Sequence, residues 1–167
     1  MILYLIVILL SVLVDQLSKL AVDHWLPTVG DSVPLIRDVL HFTRVNNTGA
    51  AFGSMQNSRW VFMVVSVLAI ILMMVVLFKW KSLGRLGGIA LSLAAGGGIG
   101  NMIDRIFRGY VVDFIDFCAF PNLWKWVFNV ADSCVCVGCA LLFIYILFVE
   151  MPAEKKAAEK KAEGENG

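Results

Sequence analysis

Four long apolar stretches divide the chain, and each is long enough to cross a bilayer, since a spanning helix needs about 20 apolar residues. The second stretch carries no charge, and the third is rich in glycine. Asp15 and Lys19 interrupt the first stretch, whereas the fourth begins with Asn129 and Asp132 and is then apolar. The pattern predicts transmembrane helices over residues 1–22, 60–78, 84–103 and 127–149.

The basic residues indicate how these four spans are oriented. Four spans place both termini on one side, and the short link between the second and third spans contains Lys79, Lys81 and Arg85. Further lysines follow in the tail, residues 151–167. By the positive-inside rule these ends are cytoplasmic. Residues 1–150 are therefore predicted to form one membrane domain with a charged cytoplasmic tail, and segments 23–59 and 104–126 face outward.

Composition supports an integral membrane protein. Of the 167 residues, 59% are hydrophobic and only 16% are charged, whereas an average soluble domain is about 25% charged. So apolar a chain is not disordered over most of its length. A formal net charge of +1 gives no electrostatic reason to expect a nucleic acid as partner.

The third span carries small residues at every fourth position. This row keeps to one helix face and allows another helix to approach closely. Packing within the chain is the first interpretation, and a dimer face is the alternative. The row consists of Gly84, Gly88, Ser92, Gly96 and Gly100.

The cysteines do not predict a metal site. Cys134, Cys136 and Cys139 have the spacing C-x-C-x-x-C, but successive positions of a helix point in different directions. The chain has only two histidines to complete a site. These cysteines are interpreted as small hydrophobic residues that pack against their neighbours.

Polar side chains recur at helical spacing in three of the spans. Ionisable residues in a membrane helix are costly and mark functional candidates. With the predicted orientation, Asp15 lies about 20 Å along the first helix, so all three polar faces reach the outer interface. The sets are Ser11, Asp15, Ser18 and Lys19; Gly97, Asn101, Asp104 and Arg105; and Asn129, Asp132, Ser133 and Cys136.

Two acids are candidates for hydrolytic chemistry. Asp113 lies in an apolar segment between the third and fourth spans, where a partly dry environment would raise its pKa. If it meets Asp132, the two carboxyl groups can share one proton. The charged member would then activate water, and the protonated member would donate to a scissile carbonyl. Asp116, three residues after Asp113, is interpreted as non-catalytic.

At these residues the chain resembles the bacterial lipoprotein signal peptidases, also called signal peptidase II. Five blocks between residues 15 and 133 carry the resemblance, in the order and at the spacing of that family. The blocks are Asp15-Gln16-x-x-Lys19, Asn47-Thr48-Gly49-Ala50-Ala51-Phe52, Gly97-Gly98-Ile99-Gly100-Asn101-x-x-Asp104-Arg105, Gly109-x-Val111-Val112-Asp113-Phe114 and Phe128-Asn129-x-Ala131-Asp132-Ser133.

The resemblance implies a four-helix aspartic endopeptidase of the bacterial cytoplasmic membrane, with Asp113 and Asp132 as the catalytic pair. Its substrates would be prolipoproteins whose cysteine already carries diacylglycerol, cleaved just before that cysteine. The family needs no cofactor and is inhibited by globomycin. Segment 23–59 would form a small extracytoplasmic β-platform with a mobile loop, between the first two helices.

The resemblance also implies roles for other residues. Asp15 and Lys19 would form a supporting pair, and Asp104 would anchor Arg105 or the loop. The chain is expected to act as a monomer among membrane lipids. The residues that would line the substrate or inhibitor pocket are Asn47, Gly49, Asn101, Arg105 and Asn129.

Two other functions compete with this interpretation. A proton-coupled transporter would use Asp15, Asp113 and Asp132 as a relay, but it predicts polar groups on both sides of the midplane. A non-enzymatic assembly subunit held by the glycine row would leave the apolar-flanked aspartates without a purpose. The sequence leaves open the preferred lipoproteins, the aspartate that holds the proton, and the role of the tail.

Overall fold

The structure is a computed structural model that describes residues 1–49, 59–80, 83–120 and 126–152. Within these ranges it consists mainly of helices, with one small antiparallel sheet. In chain order the elements are α1 (Ile2–Trp25), β1 (Ser32–Ile36), β2 (Leu40–Asn47), α2 (Arg59–Lys79), α3 (Arg85–Phe107), β3 (Val111–Phe117), β4 (Val127–Phe128) and α4 (Val130–Tyr145), which continues as a π-helical turn over Ile146–Glu150.

The helices coincide with the apolar stretches of the sequence. Three of them, Ile2–Trp25, Arg85–Phe107 and Val130–Glu150, are long and apolar enough to cross a membrane by length and composition. In α2, the apolar part is the shorter segment Met63–Lys79. The described residues therefore contain three to four candidate spans. Most of the α1 surface away from α3 is apolar and exposed, as expected for a face that meets lipid.

Helix α3 lies at the centre and packs against the other three helices. A Cβ added at Gly88 would lie 2.3 Å from the Tyr4 ring, and one at Gly96 would lie 2.7 Å from Ser11 Cβ. Gly88, Gly96 and Gly100 thus face α1, and Gly84 faces Tyr145 of α4, so the predicted packing of this row within the chain is confirmed. On the α4 side, a Cβ at Gly97 would lie 2.3 Å from the Ala131 carbonyl oxygen.

The sheet is larger than the platform predicted from segment 23–59. Its strand order is β1-β2-β3-β4, with every neighbouring pair antiparallel. Only β1 and β2 come from that segment, while β3 and β4 come from the connection between α3 and α4. The strands predicted between the first two helices are therefore present, and the sheet is extended by a central pairing of β2 with β3, which joins two segments that are distant in sequence.

Several predicted boundaries change as well. Helix α1 continues to Trp25, and α3 continues to Phe107. Val127–Phe128 form a strand, so the fourth helix begins at Val130 and not at residue 127. The mobile loop and the tail were predicted in segments that include residues 50–58 and 153–167, and these residues lie outside the described ranges.

The sheet is fixed against the C-terminal end of α1 by a small apolar core. Val22 and Leu26 pack against Val112 and Phe114 of β3. Gly109 makes the sharp turn from α3 into β3 with a φ of 84°, a conformation that favours glycine. Together the turn and the core hold β3 beside the C-terminal end of α3 and the N-terminal end of α4.

Candidate active site

Asp113 and Asp132 come from different elements and meet the same asparagine. The Nδ2 atom of Asn129 donates to Asp113 Oδ1 at 2.6 Å, and the backbone N–H of Asn129 donates to Asp132 Oδ2 at 3.2 Å. Asn101 of α3 donates to the other oxygen of Asp132 at 2.7 Å. The two acids predicted to meet are thus brought into one hydrogen-bonded cluster.

Local sequence explains why Asp132 is held at this point. Asn129 is the N-cap of α4, and its Oδ1 accepts the Asp132 N–H at 2.8 Å. Since Asp132 accepts the Asn129 N–H in return, the two residues form a capping box, which satisfies two otherwise free donors at the helix start. An acidic side chain in the first turn is also favoured by the helix dipole.

Strand β2 places a second side-chain amide, that of Asn47, beside Asp113. Val45 of β2 is the register partner of Asp113, and Asn47 pairs with Val111. The Asn47 Nδ2 atom donates to Asp113 Oδ2 at 2.9 Å, while its Oδ1 accepts the Gly49 N–H at 3.0 Å. Of the predicted pocket residues, Asn47 therefore contacts Asp113, and Gly49 contacts Asn47.

Asp113 is an unusual carboxyl group, since only 2% of its surface is exposed. Burial, followed by the nearby charge of Asp132, raises the pKa of Asp113 from 3.8 to about 7. Hydrogen bonds from Asn47 and Asn129 and the charge of Lys19 act in the opposite direction. Burial dominates because desolvation penalises the charged form. The carboxyl group is thus poised to gain or lose a proton near neutral pH.

A buried ion network lies next to the two acids. Lys19 forms ion pairs with Asp15 at 2.8 Å and with Asp104 at 2.9 Å, and all three side chains are fully buried. Asp15 also accepts the Ala131 N–H of α4 at 2.9 Å, and Asp104 accepts the Val112 N–H of β3 at 3.2 Å. The predicted Asp15–Lys19 pair is present, and Asp104 contacts the segment that carries Asp113.

Sequence analysis gave no role to a second set of residues in this network. Gln16 donates to the Gly100 carbonyl oxygen at 3.1 Å, and Arg108 bridges Asp104 and Asp23. Asp23 in turn pairs with Arg44 of β2 at 2.9 Å. The spacing of four residues from Asp104 to Arg108 is the signal that could have revealed the contact between these two side chains.

Arg105 lies on the same side of α3, one turn beyond Asn101. Its guanidinium group is half-buried, and its positive charge acts on Asp132, Asp113 and Asp104. One contact of its side chain is to the Asn101 carbonyl oxygen at 3.3 Å. A guanidinium group has five donors in a fixed geometry, so Arg105 brings multiple hydrogen-bond donors to the cluster.

Asp116 and the cysteines lie outside the cluster. Asp116 is three residues from Asp113 on the same strand, so its side chain points to the opposite face. There it accepts a hydrogen bond from Thr43 at 2.7 Å. Cys136 and Cys139 are exposed on α4. Within the described ranges, no group of three or more histidine, cysteine, aspartate or glutamate side chains is arranged to hold a metal ion.

Known proteins were compared with the chain as a whole. The peptidase family described as Signal peptidase (SPase) II matches residues 7–148. A lipoprotein signal peptidase of Clostridioides difficile (strain 630) is 44% identical over 150 residues, which are 89% of this chain and 97% of the relative. A lipoprotein signal peptidase of Halalkalibacterium halodurans is 41% identical over 154 residues, 92% and 97% of the two chains.

Similarity extends to solved structures. A bacterial membrane enzyme determined by the in meso method at 2.3 Å resolution has a TM-score of 0.76 and 30% sequence identity, with 86% of this chain and 87% of that chain covered. A second, at 1.9 Å resolution, has the same TM-score and identity and covers 87% and 93%. The family match and the relatives agree over most of the length, and the chain belongs to the signal peptidase II family of peptidases.

Proposed function

We propose that this protein removes the signal peptide from diacylglyceryl-modified prolipoproteins, cleaving just before the lipidated cysteine, with Asp113 and Asp132 as the catalytic pair. The relatives named lipoprotein signal peptidase support the substrate class. The observation that carries the residue assignment is the cluster in which Asn129 hydrogen-bonds both carboxyl groups. Family membership also favours this function over the transporter and assembly-subunit alternatives.

The chemistry follows from one proton shared by the pair. The ionised carboxylate removes a proton from a water molecule, whose oxygen attacks the scissile carbonyl carbon. The protonated carboxyl group donates its proton to the carbonyl oxygen, which gives a neutral tetrahedral intermediate. Collapse of the intermediate breaks the C–N bond, and the departing nitrogen takes the proton gained from the water. One hydroxyl group of the intermediate returns its proton to the carboxylate that had protonated the carbonyl oxygen, as the new carbonyl forms. The pair then again holds one proton.

The surrounding residues orient the acids and the substrate. Asn47, Asn101 and Asn129 hold the two carboxyl groups, and Gly49 donates its backbone N–H to the Asn47 side chain. Arg105 binds substrate carbonyl oxygens near the scissile bond, because it keeps its charge and offers several donors. Asp15, Lys19 and Asp104 support this arrangement from the buried side.

The proposal includes an orientation in the bacterial cytoplasmic membrane. Residues 1–150 form one domain whose four helices all span the bilayer, both termini and the tail are cytoplasmic, and the active site lies near the outer interface. Among the described residues, every buried charged side chain belongs to the catalytic cluster or its ion network. The protein works as a monomer surrounded by lipid, and the substrate keeps its diacylglyceryl group in the bilayer.

A cleavage assay in detergent tests the function and the residues together. Wild type, Asp113→Asn and Asp132→Asn are compared on a precursor with and without diacylglycerol on its cysteine. Wild type should cut only the lipidated precursor, and each variant should lose about 10²- to 10⁴-fold in rate, the range typical of general acid–base groups. Asp116→Asn is the matched control and should remain active, because Asp116 faces Thr43.

The outcomes separate the parts of the proposal. A folded wild-type protein that leaves the lipidated precursor intact contradicts the function. Activity that survives in Asp113→Asn or Asp132→Asn keeps the enzyme but rejects that member of the pair.

A further inference from the structure

The ammonium group of Lys19 is buried among three oxygen acceptors. An ammonium group has three N–H donors and no acceptor. Two of the acceptors within reach are Asp15 at 2.8 Å and Asp104 at 2.9 Å, and the third is Asn101 Oδ1 at 3.1 Å. Lys19 therefore pairs with two carboxylates and also touches a residue of the catalytic cluster.

The contact with Lys19 fixes the direction of the Asn101 amide. Because an ammonium group only donates, the atom that faces it must be the amide oxygen, which also accepts from Asn129 Nδ2 at 3.0 Å. The amide nitrogen is then turned towards Asp132 Oδ1, to which it donates at 2.7 Å. A carboxylate that receives such a donor is favoured in its charged form.

We infer that Lys19 is a positioning residue that sets the proton distribution of the catalytic pair: through Asn101 it keeps Asp132 ionised as the general base and leaves the single proton on Asp113. This inference rests on the proposed function and deepens it. Lys19 thereby gains a chemical role beyond compensating the buried charges of Asp15 and Asp104.

The other charged groups around Asp113 and Asp132 are compatible with an ionised Asp132 and a protonated Asp113. The charge of Lys19 acts on both catalytic acids. Asp132 also has the helix N-terminus and Arg105 near it, whereas Asp113 is nearly inaccessible to water, which favours its protonated form. The charged groups that face Lys19 or the pair are Asp15 on α1 and Asp104 and Arg105 on α3. One step further out, Arg108 of α3 contacts Asp104, and Cys134 of α4 lies near Asp15.

Opposite charge changes at the two ends of the Asp15–Lys19 pair test the inference. In both variants the pH profile of kcat/KM is measured on the lipidated precursor. Lys19→Met removes a positive charge, so the acidic and alkaline limbs should both move to higher pH by about one unit. Asp15→Asn removes a negative charge, so both limbs should move to lower pH. Arg37→Met removes an equal positive charge at an exposed turn and should leave the limbs in place.

A purely structural ion pair predicts a different result. Losing either partner would then lower activity at every pH, with unchanged midpoints, and this outcome would overturn the inference. If Lys19→Met does not fold, the pH profile of Asp15→Asn alone tests the inference. Midpoints of its acidic and alkaline limbs equal to those of wild type would contradict the role assigned to Lys19.

A second readout does not depend on cleavage. The thermal stability of the detergent-solubilised protein should decrease as Asp113 ionises, and the pH range of this decrease should move up in Lys19→Met and down in Asp15→Asn. Inactive wild type would refute the proposed function, whereas this titration would still decide the role of Lys19. A pH range that is the same in all three proteins rejects it.

Discussion

At the scale of single residues, the decisive feature is the Asp113 carboxyl group, on whose protonation burial and hydrogen bonding have opposite effects. Asp113 is almost fully buried, which favours its neutral form, yet the amides of Asn47 and Asn129 donate to both of its oxygens. Burial has the larger effect, so the pKa rises to about 7. A group balanced in this way can change its protonation state during a reaction at neutral pH.

The raised pKa of Asp113 predicts how stability depends on pH. Between about pH 4 and pH 7 the folded protein binds more protons at Asp113 than the unfolded chain does, so stability falls as the pH rises through this range. The shift corresponds to about 4 kcal/mol. We expect thermal unfolding in detergent to show this decrease in wild type and a much weaker one in Asp113→Asn.

The Asn variant should also be less stable than wild type at pH 5. Its amide has one oxygen to accept from the two amide donors that face Asp113, so one hydrogen bond is lost. The difference from wild type should shrink or reverse by pH 8, where wild type has a buried charge. Parallel pH curves for the two proteins would contradict the assignment of the raised pKa to Asp113.

Ionisation of Asp113 should also reduce the proposed activity at alkaline pH. Since the reaction needs one proton on the pair, kcat/KM should fall as the pH rises beyond about 7, and it should fall again in acid when both carboxyl groups are protonated. Initial rates on the lipidated precursor across the pH range measure both limbs. A rate that reaches a plateau and never decreases at high pH would be incompatible with a shared proton.

At the scale of secondary-structure elements, Asn129 has two separable tasks. Its side-chain oxygen caps α4, and its side-chain nitrogen donates to Asp113 and Asn101. Serine is an equally good N-cap but has no amide nitrogen. Asn129→Ser should therefore lose most of its activity with little loss of helix stability. Asn129→Ala should be as inactive and less stable by about a further 1 kcal/mol.

Cleavage rates and unfolding measurements on the two Asn129 variants check this separation. Full activity in Asn129→Ser would show that the amide nitrogen has no part in the reaction. Equal stability of the serine and alanine variants would show that the cap contributes little to α4.

Two adjacent glycines of α3 give a second comparison within one element. A Cβ at Gly97 would meet the Ala131 carbonyl oxygen at 2.3 Å, which is backbone and has little freedom to move. A Cβ at Gly98 would meet only the side chain of Ile70 at 3.1 Å. Alanine improves the helix propensity equally at both positions. We expect Gly97→Ala to destabilise the protein and Gly98→Ala to be tolerated.

The same Gly97 contact links packing to the proposed chemistry, because Ala131 lies beside Asp132 in the first turn of α4. Displacing this turn should reduce cleavage as well as thermal stability. Equal stability and activity in the two alanine variants would show that α3 and α4 do not need their close approach.

The parts of the fold that could be predicted from the sequence are those fixed by short-range patterns. Hydropathy located the helices, and the four-residue spacing located the Asp15–Lys19 pair. The sheet was predicted poorly, because every position of β1 is exposed and every position of β2 is half-buried, so neither strand alternates. Its central pairing of β2 with β3 joins residues about 70 positions apart and leaves no local signal.

The cluster around the proposed catalytic pair was likewise predicted only in part. That Asp113 and Asp132 meet was expected from depth and chemistry. The amide connections through Asn101 and Asn129 depend on the relative positions of three elements, so residue spacing could not reveal them. For the same reason the link from Arg108 through Asp23 to Arg44 appeared only in three dimensions.

At the scale of the whole molecule, aromatic side chains mark the two ends of the helix bundle. Trp25 at the end of α1, Trp60 at the start of α2 and Phe107 at the end of α3 are all exposed at the end that carries the sheet. Trp80, just after α2, is exposed at the opposite end. Aromatic residues are enriched at membrane interfaces, so these positions support a bundle that spans the bilayer with the active site at one surface.

Thiol labelling in intact bacterial cells can determine which surface this is. In a variant whose four cysteines are replaced by alanine, Arg37→Cys places a thiol at the exposed turn between β1 and β2, and Lys79→Cys places one at the opposite end of the bundle. A membrane-impermeant maleimide should label position 37 in intact cells and position 79 only after permeabilisation. Cleavage activity of each variant provides the folding control. The reverse pattern would put Asp113 and Asp132 on the cytoplasmic side and would contradict both the proposed orientation and cleavage at the outer interface.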